Sequence, residues 1–364
     1  MLELDLTREL DRQLTVCNAC RYCEGFCAVF GAAQLRSAIG SSDAAYLANL
    51  CHDCRMCFDA CMFTAPHEFA LNIPAAMTEA RVETYAAYGK PRALAAMFDR
   101  PERAAGVAVV TAVLLIALAV AFSAGLAALQ PQLGPGAFYR VIPYAAMVTV
   151  ALALGLYGIV SIALSARSFA RDIGGGKPFA TSASLRTAFH EAFSLVYMKG
   201  GGSGCYDEHR DSGRRRSYHM LVFWGFLADL AATISAFVLQ DFLHAPPPYP
   251  LWSVPVVLGT GGGLALVAGA AGLIAVKNVS DPRPMAPRMI ALDYAFLALL
   301  ELAALTGLAL LAFRSTAAMG ALLVLHLGAV AGLFITAPYG KFVHVIYRFI
   351  ALVKHAHEHN GGSP

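Results

Sequence analysis

Eight of the nine cysteines stand in two runs of one pattern, CNACRYCEGFC (Cys17, Cys20, Cys23, Cys27) and CHDCRMCFDAC (Cys51, Cys54, Cys57, Cys61). Both read C-x2-C-x2-C-x3-C. In that spacing three thiolates wrap one face of a cubane and the fourth reaches across to the other cluster. The pattern therefore predicts two [4Fe-4S] clusters, one on Cys17, Cys20, Cys23 and Cys61, the other on Cys51, Cys54, Cys57 and Cys27. Structural zinc would use four-ligand sets such as paired C-x2-C, and disulfides are disfavoured in a reducing compartment. Ala28 and Met62 follow the fourth cysteines, where proline is common in such runs. Cys205, in GGGSGCYDEH, reads as a free or structural thiol.

The second group with chemistry is histidine in an apolar setting. The run ALLVLHLGAVAGLFITAPYGKFVH (321–344) holds His326 within it and His344 at its end. An ionisable group in a membrane span is costly and is a functional candidate by default. Read as one helix, the eighteen residues between them make five turns at about 3.6 per turn, one face at two depths about 27 Å apart. His219 opens an earlier apolar run just after Arg214, Arg215 and Arg216. It should lie level with His344, and two neutral imidazoles from facing helices at one depth are what a b-type haem requires.

His326 meets no histidine at its own height. Asp229 and Glu301 stand there instead, each about 20 Å from the boundary by helix rise. Three readings stay open: a second haem ligand whose other nitrogen a carboxylate orients, a proton or quinone site shared with Asp229 and Glu301, or a structural histidine. Gly328 and Gly332, at small-xxx-small spacing, admit either a close helix or a flat macrocycle. His190 reads as surface or packing, His244 as interfacial, and KHAHEHN (His355, His357, His359) as a solvated tail.

These residues need elements to carry them. Hydrophobic residues make up 58% of the 364 and charged ones 14%, which is a membrane composition. Six stretches can cross as helices: 104–129, 141–166, 220–240, 252–276, 289–313 and 316–338. No cleaved signal pattern opens the chain. Lys and Arg crowd the segment between spans two and three and the ends flanking spans five and six, while DFLHAPPPYPL has none. The positive-inside rule then puts both termini in the cytoplasm of a multi-pass protein of the cytoplasmic (inner) membrane. The net charge of +3 follows from this topology, and no nucleic-acid surface is expected.

The fold class is thus mostly α: an N-terminal α-helical two-cluster ferredoxin domain followed by a six-helix transmembrane bundle. The expected divisions are 1–100 for the cluster domain, 101–166 for two spans, 167–217 for a basic loop, 218–350 for four spans with the haem, and 351–364 for a tail. Within the cluster domain, Ser42 or Asp43 is an N-cap candidate for a helix running into Cys51. IGGGKPF lacks the P-loop spacing, no G-x-G-x-x-G is present, and C-x-x-C-H is absent, which excludes covalent c-type haem attachment.

The stretches CNACRYCEGFCAVF, YLANLCHDC, APHEFALNIP, RRRSYHMLVFWGF and APYGKFVHVIYRF, in this order over essentially the whole chain, resemble the tricarballylate-utilisation protein B (TcuB/CitB) family. The last span, with PYGKFVH, also resembles the haem-bearing helix of nitrate reductase gamma-type and heterodisulfide reductase-type subunits. Those carry two haems with partners on an earlier helix; here that helix offers His219 alone, with Asp229 ten residues on.

The resemblance implies a redox subunit, with no catalytic residue of its own, for a soluble FAD-dependent tricarballylate dehydrogenase that forms cis-aconitate. It would reoxidise the reduced flavin and pass electrons through two [4Fe-4S] clusters and one b-type haem, or two, to membrane quinone in the lipid bilayer. Two alternatives differ in class: a quinone-linked subunit serving another flavoprotein, and a carrier or sensor with regulatory clusters. A carrier should show repeats or broken helices, for which Gly259, Gly261, Gly262 and Gly263 are the one candidate interruption.

Overall fold

The computed structural model describes residues 2–199 and 211–362; Cys205 and Arg210 fall outside them. Six helices precede the first span: α1 (Leu4–Cys20), α2 (Ala28–Gln34), α3 (Ser41–Leu50), α4 (Met56–Asp59), α5 (Ile73–Tyr88) and α6 (Arg92–Ala95). Leu10 and Leu14, one turn apart on α1, are fully buried against Leu47 and Met77. Helix α3 begins two residues earlier than the first N-cap candidate, Ser42, allows. Gly40 is its N-cap, and Asp43, three residues in, reaches back to the Gly40 N–H at 3.3 Å.

Among the described residues six helices are long and apolar enough to cross a membrane: α7 (Pro101–Ser123), α9 (Tyr144–Ile173), α11 (Asp211–Asp241), α12 (Val254–Val279), α13 (Pro287–Ala312) and α14 (Met319–Thr336), with α8 (Ala137–Val141) and α10 (Ser182–Ser194) between them. Leu114, Leu118, Phe122, Leu156 and Phe237 point outward, as lipid-facing side chains do. The bounds differ from an apolar-run reading where helix-forming polar residues follow. Helix α9 continues through SARSFARDI, because helix propensity does not end where hydropathy does. Pro143 starts α9 cleanly and sets α8 apart.

Glycines set the closest packing. A Cβ on Gly225 would lie 2.9 Å from Gly262 O, and one on Gly269 2.8 Å from Val222, so α11 and α12 touch nearly backbone to backbone. A Cβ on Gly328 or Gly332 would meet Val113 or Val109 of α7. The small residues after His326 therefore seat a helix and not a macrocycle. Helix α12 runs unbroken through Gly259–Gly263, so the feature that might have marked a carrier is absent from it.

His326 and His344 do not share a helix. Helix α14 stops at Thr336, Pro338 blocks its continuation, and after a short turn at Lys341–Val343 a new helix, α15 (His344–His359), begins. Nor is the tail solvated throughout: His359 is exposed and His357 half-buried, but the residues before them turn inward. Lys354, His355 and Glu358 are buried. Glu358 accepts from Arg36 at 2.6 Å and Tyr46 at 3.0 Å, with Lys354 at 3.5 Å. The apolar core is continuous through Leu47 of α3, Met77 of α5, Phe169 of α9, Met289 of α13, and Tyr347 and Leu352 of α15. The cysteine domain is thereby built into one end of the bundle.

Candidate electron-transfer site

The local turns explain how each cysteine run closes on itself. Helix α1 ends at Cys20 because Arg21 takes the left-handed conformation (φ 58°) and its N–H returns to Cys17 O at 2.8 Å. Asp53 (φ 51°) and Arg55 (φ 68°) turn the second run in the same way. Such conformations are uncommon for residues with a Cβ, and here they sit between ligand candidates.

Cys17, Cys20, Cys23 and Cys61, together with Cys57, line one cavity of about 490 Å³ with Phe30, Phe63 and Ile73. Cys27 lies within electrostatic reach of Cys51 and Cys54, and Cys57 of all three. Cys61 thus lies with the first three cysteines of the other run and Cys27 near Cys51 and Cys54, while Cys57 borders both groups. Burial pushes Cys17 up to about 12, with Cys23, Cys61 and Cys20 adding to it, and Cys54 up to about 11. Backbone N–H groups of Asp53 and Phe63 donate to Cys51 and Cys61 sulfurs at 3.4 Å. Among the described residues no three Cys, His, Asp or Glu side chains converge on a single-ion site. A set of thiols spread around a cavity is the donor chemistry that an iron–sulfur core deprotonates and takes up.

At the bundle's junction with this domain, the rings of His219 (α11) and His344 (first residue of α15) face each other with centroids 6.3 Å apart and planes at 89°. With a metal–nitrogen bond of about 2.0 Å and a ring nitrogen about 1.2 Å from its centroid, two imidazoles on one metal have centroids about 6.4 Å apart. His344 Nδ1–H donates to Lys341 O at 2.6 Å, which leaves Nε2 as the lone-pair nitrogen. Burial, reinforced by the charge of Lys341, holds His344 well below the ordinary histidine value and hence neutral. His219 Nδ1 is buried with no hydrogen-bond partner. These residues fit a haem, whose iron would take one nitrogen from each ring.

His326 is placed elsewhere. Its Nδ1 sits 3.1 Å from Ala303 O and 3.2 Å from Thr306 Oγ1 of α13, in space left by Gly307. A carbonyl and a hydroxyl orient it, and not the carboxylate that one of the three readings placed there. Asp229 packs against Gly262 of α12, and neither Asp229 nor Glu301 is hydrogen-bonded to His326. Buried oxygens of both acids, Asp229 Oδ1 and Glu301 Oε2, lack partners.

Beyond Lys341, whose Nζ shares Asp293 with Lys277 at 2.5 Å each, a groove of about 330 Å³ opens between α7, α13 and α14. Phe98, Phe296, Leu299, Leu333 and Phe342 line it. Phe342 also packs on Phe226, two turns after His219 on α11, at 5.4 Å.

The family comparisons agree with this division of the chain. Residues 10–87 match the family described as "Citrate utilization protein B Fer4-like domain", and residues 98–364 match "Citrate utilization protein B". The chain belongs to the citrate utilization protein B family. It is 41% identical to the Escherichia coli citrate utilization protein B over 363 residues, 97% of this chain and 93% of that one. No solved structure matches it. For this family, then, the structure shows a Fer4-like helical domain fused through a shared core to six candidate membrane helices.

Two residues with a place at this junction carried no motif signal. His52 lies inside the second cysteine run, yet it is buried, with Nδ1 3.2 Å from Leu50 O and its ring 5.4 Å from Tyr197. Burial and then the charge of Arg348 hold it far below the ordinary histidine value. Arg215 reaches from α11 to the carbonyl and carboxylate of Asp53. The triple arginine that signalled orientation thus also ties α11 to the second cysteine run.

Proposed function

We propose that the chain is a membrane electron-transfer subunit that reoxidises the reduced flavin of a soluble dehydrogenase and delivers the electrons to membrane quinone. The observation that carries this reading is the junction itself. The second cysteine set, His52, and the His219–His344 pair adjoin at the end of the bundle that bears the Fer4-like domain. Two [4Fe-4S] clusters and a b-type haem, when bound, each supply a one-electron carrier.

The chain's own residues hold and order the route. Cys17, Cys20, Cys23 and Cys61 form the outer site. Cys51, Cys54, Cys57 and Cys27 form the inner one, next to His52. His219 and His344 hold the haem, and Lys341 O fixes the His344 tautomer. Phe342 separates that pair from the apolar groove, where a quinone ring would lie with its tail toward Leu299 and Leu333. The bias of Lys and Arg supports placement in the cytoplasmic membrane with both termini inside.

The resemblance to tricarballylate-utilisation protein B points to a partner that oxidises tricarballylate to cis-aconitate, and the relative's name ties the family to citrate use. The test uses the purified full-length protein in lipid nanodiscs, mixed with a tricarballylate dehydrogenase and tricarballylate. The absorption bands of a reduced b-type haem should grow in and then decay on adding a soluble quinone. Full iron–sulfur content with no haem would overturn the membrane half of the reading. Haem reduction by another flavoprotein alone would change the partner.

A further inference from the structure

One turn beyond His344 on α15, at i+4 and so on the same face, stands Arg348. Its Nε and Nη2 are buried, and neither finds an acceptor. These two atoms form one edge of the guanidinium, the edge that grips a carboxylate with two parallel hydrogen bonds. A buried cation without a partner is among the most costly groups a fold can hold.

Among the described residues no carboxylate pairs with Arg348: Asp53 Oδ2 meets Arg215 and Asp293 meets Lys277 and Lys341, while Asp53 Oδ1 is buried without a partner. Arg81, the guanidinium whose charge bears most on Arg348, is met by the carbonyls of Ala48 and Cys51. Burial and then Arg81 press Arg348 down to about 9, the direction expected of a cation that lacks its counter-ion. Its charge also reaches both rings of the His219–His344 pair. A surplus of positive charge therefore stands beside the site read as a haem site, and a b-type haem carries two carboxylate side chains.

We propose that the Nε–Nη2 edge of Arg348 binds a carboxylate of the haem held by His219 and His344, fixing its orientation and raising its reduction potential. This rests on the haem reading above. The other anion within reach of Arg348 is the inner cluster, since Cys51 and Cys54 also act on it. The test must separate the two.

Full-length protein produced without haem is titrated with protohaem and with its dimethyl ester, in which both carboxylates are blocked. The wild type should bind protohaem about tenfold or more tightly than the ester, the scale of a hydrogen bond to a charged group. Arg348→Gln should lose most of that preference, and Arg348→Lys should keep part of it. In the haem-loaded protein Arg348→Gln should also lower the haem midpoint potential while the cluster signals in electron paramagnetic resonance stay in place. An unchanged preference in Arg348→Gln overturns the assignment, as does a shift confined to the cluster signals. A wild type that binds neither compound refutes the haem reading itself, a result distinct from both.

Discussion

His219 lies in α11 and His344 opens α15, and their rings meet at a centroid distance of 6.3 Å. The separation suits two ligands to one iron. His219→Ala and His344→Ala should each abolish the b-type absorption bands of the reduced protein, while iron–sulfur content stays near wild type. If both variants keep the bands, the pair is not the ligand set. His326→Ala then decides the stoichiometry: unchanged haem content assigns His326 to packing against Ala303 and Thr306, and loss of half assigns it a second haem.

The crossed cysteine sets make a separate prediction. Cys61 shares a cavity with Cys17, Cys20 and Cys23, whereas Cys27 sits with Cys51, Cys54 and Cys57. Cys61→Ser should therefore disturb the same signal in electron paramagnetic resonance as Cys17→Ser, and Cys27→Ser the same one as Cys54→Ser. Uncrossed pairing, with Cys27→Ser matching Cys17→Ser, would refute the assignment. Each variant should lose about half of the bound iron, four of eight atoms on the two-cubane reading.

Much of this arrangement was legible because the signals were local. A fixed cysteine spacing marks cluster ligands, and apolar runs of membrane length mark spans. His219 beside Arg216 and His344 beside Lys341 both reported depth. What escaped were relations that depend on where helices stop. The five-turn spacing of His326 and His344 suggested one face of one helix, but Pro338 ends α14 before the second histidine. His344 reaches His219 from the start of a new helix. The polar tail KHAHEHN read as solvent-exposed because composition does not reveal that Arg36 and Tyr46, far off in sequence, wait for Glu358. Arg348 carried no motif at all, and its interest lies in partners it lacks.

The buried position of Glu358 has a measurable consequence. It is enclosed with Arg36 and Lys354, and removing one member of a buried ion pair typically costs about 3–5 kcal/mol because the remaining charge is stranded. Glu358→Gln should lower the thermal midpoint of the detergent-solubilised protein by several degrees and expose α15 to proteolysis. Glu9→Gln, which breaks the exposed pair with Arg12, should cost at most about 1 kcal/mol. Equal shifts for the two variants would mean that the C-terminal helix is not anchored through Glu358.

The apolar groove between α7, α13 and α14 is the last feature that function must explain. Its walls bring Phe296 and Phe342 to 6.3 Å, and Phe342 connects in turn to Phe226 on the His219 helix. A flat, apolar acceptor in that groove would be one aromatic side chain away from the histidine pair. Leu299→Trp fills the groove without replacing a candidate haem ligand, so haem spectrum and midpoint potential should remain those of the wild type. Reoxidation of the pre-reduced protein by a short-chain quinone should slow about tenfold, mainly through a higher KM, while reoxidation by ferricyanide, which needs no apolar site, should be unaffected. If the quinone rate is unchanged, the acceptor binds elsewhere and the groove is filled by lipid. If both rates fall together, the tryptophan has disturbed the haem site instead, and the potential measured in parallel will show it.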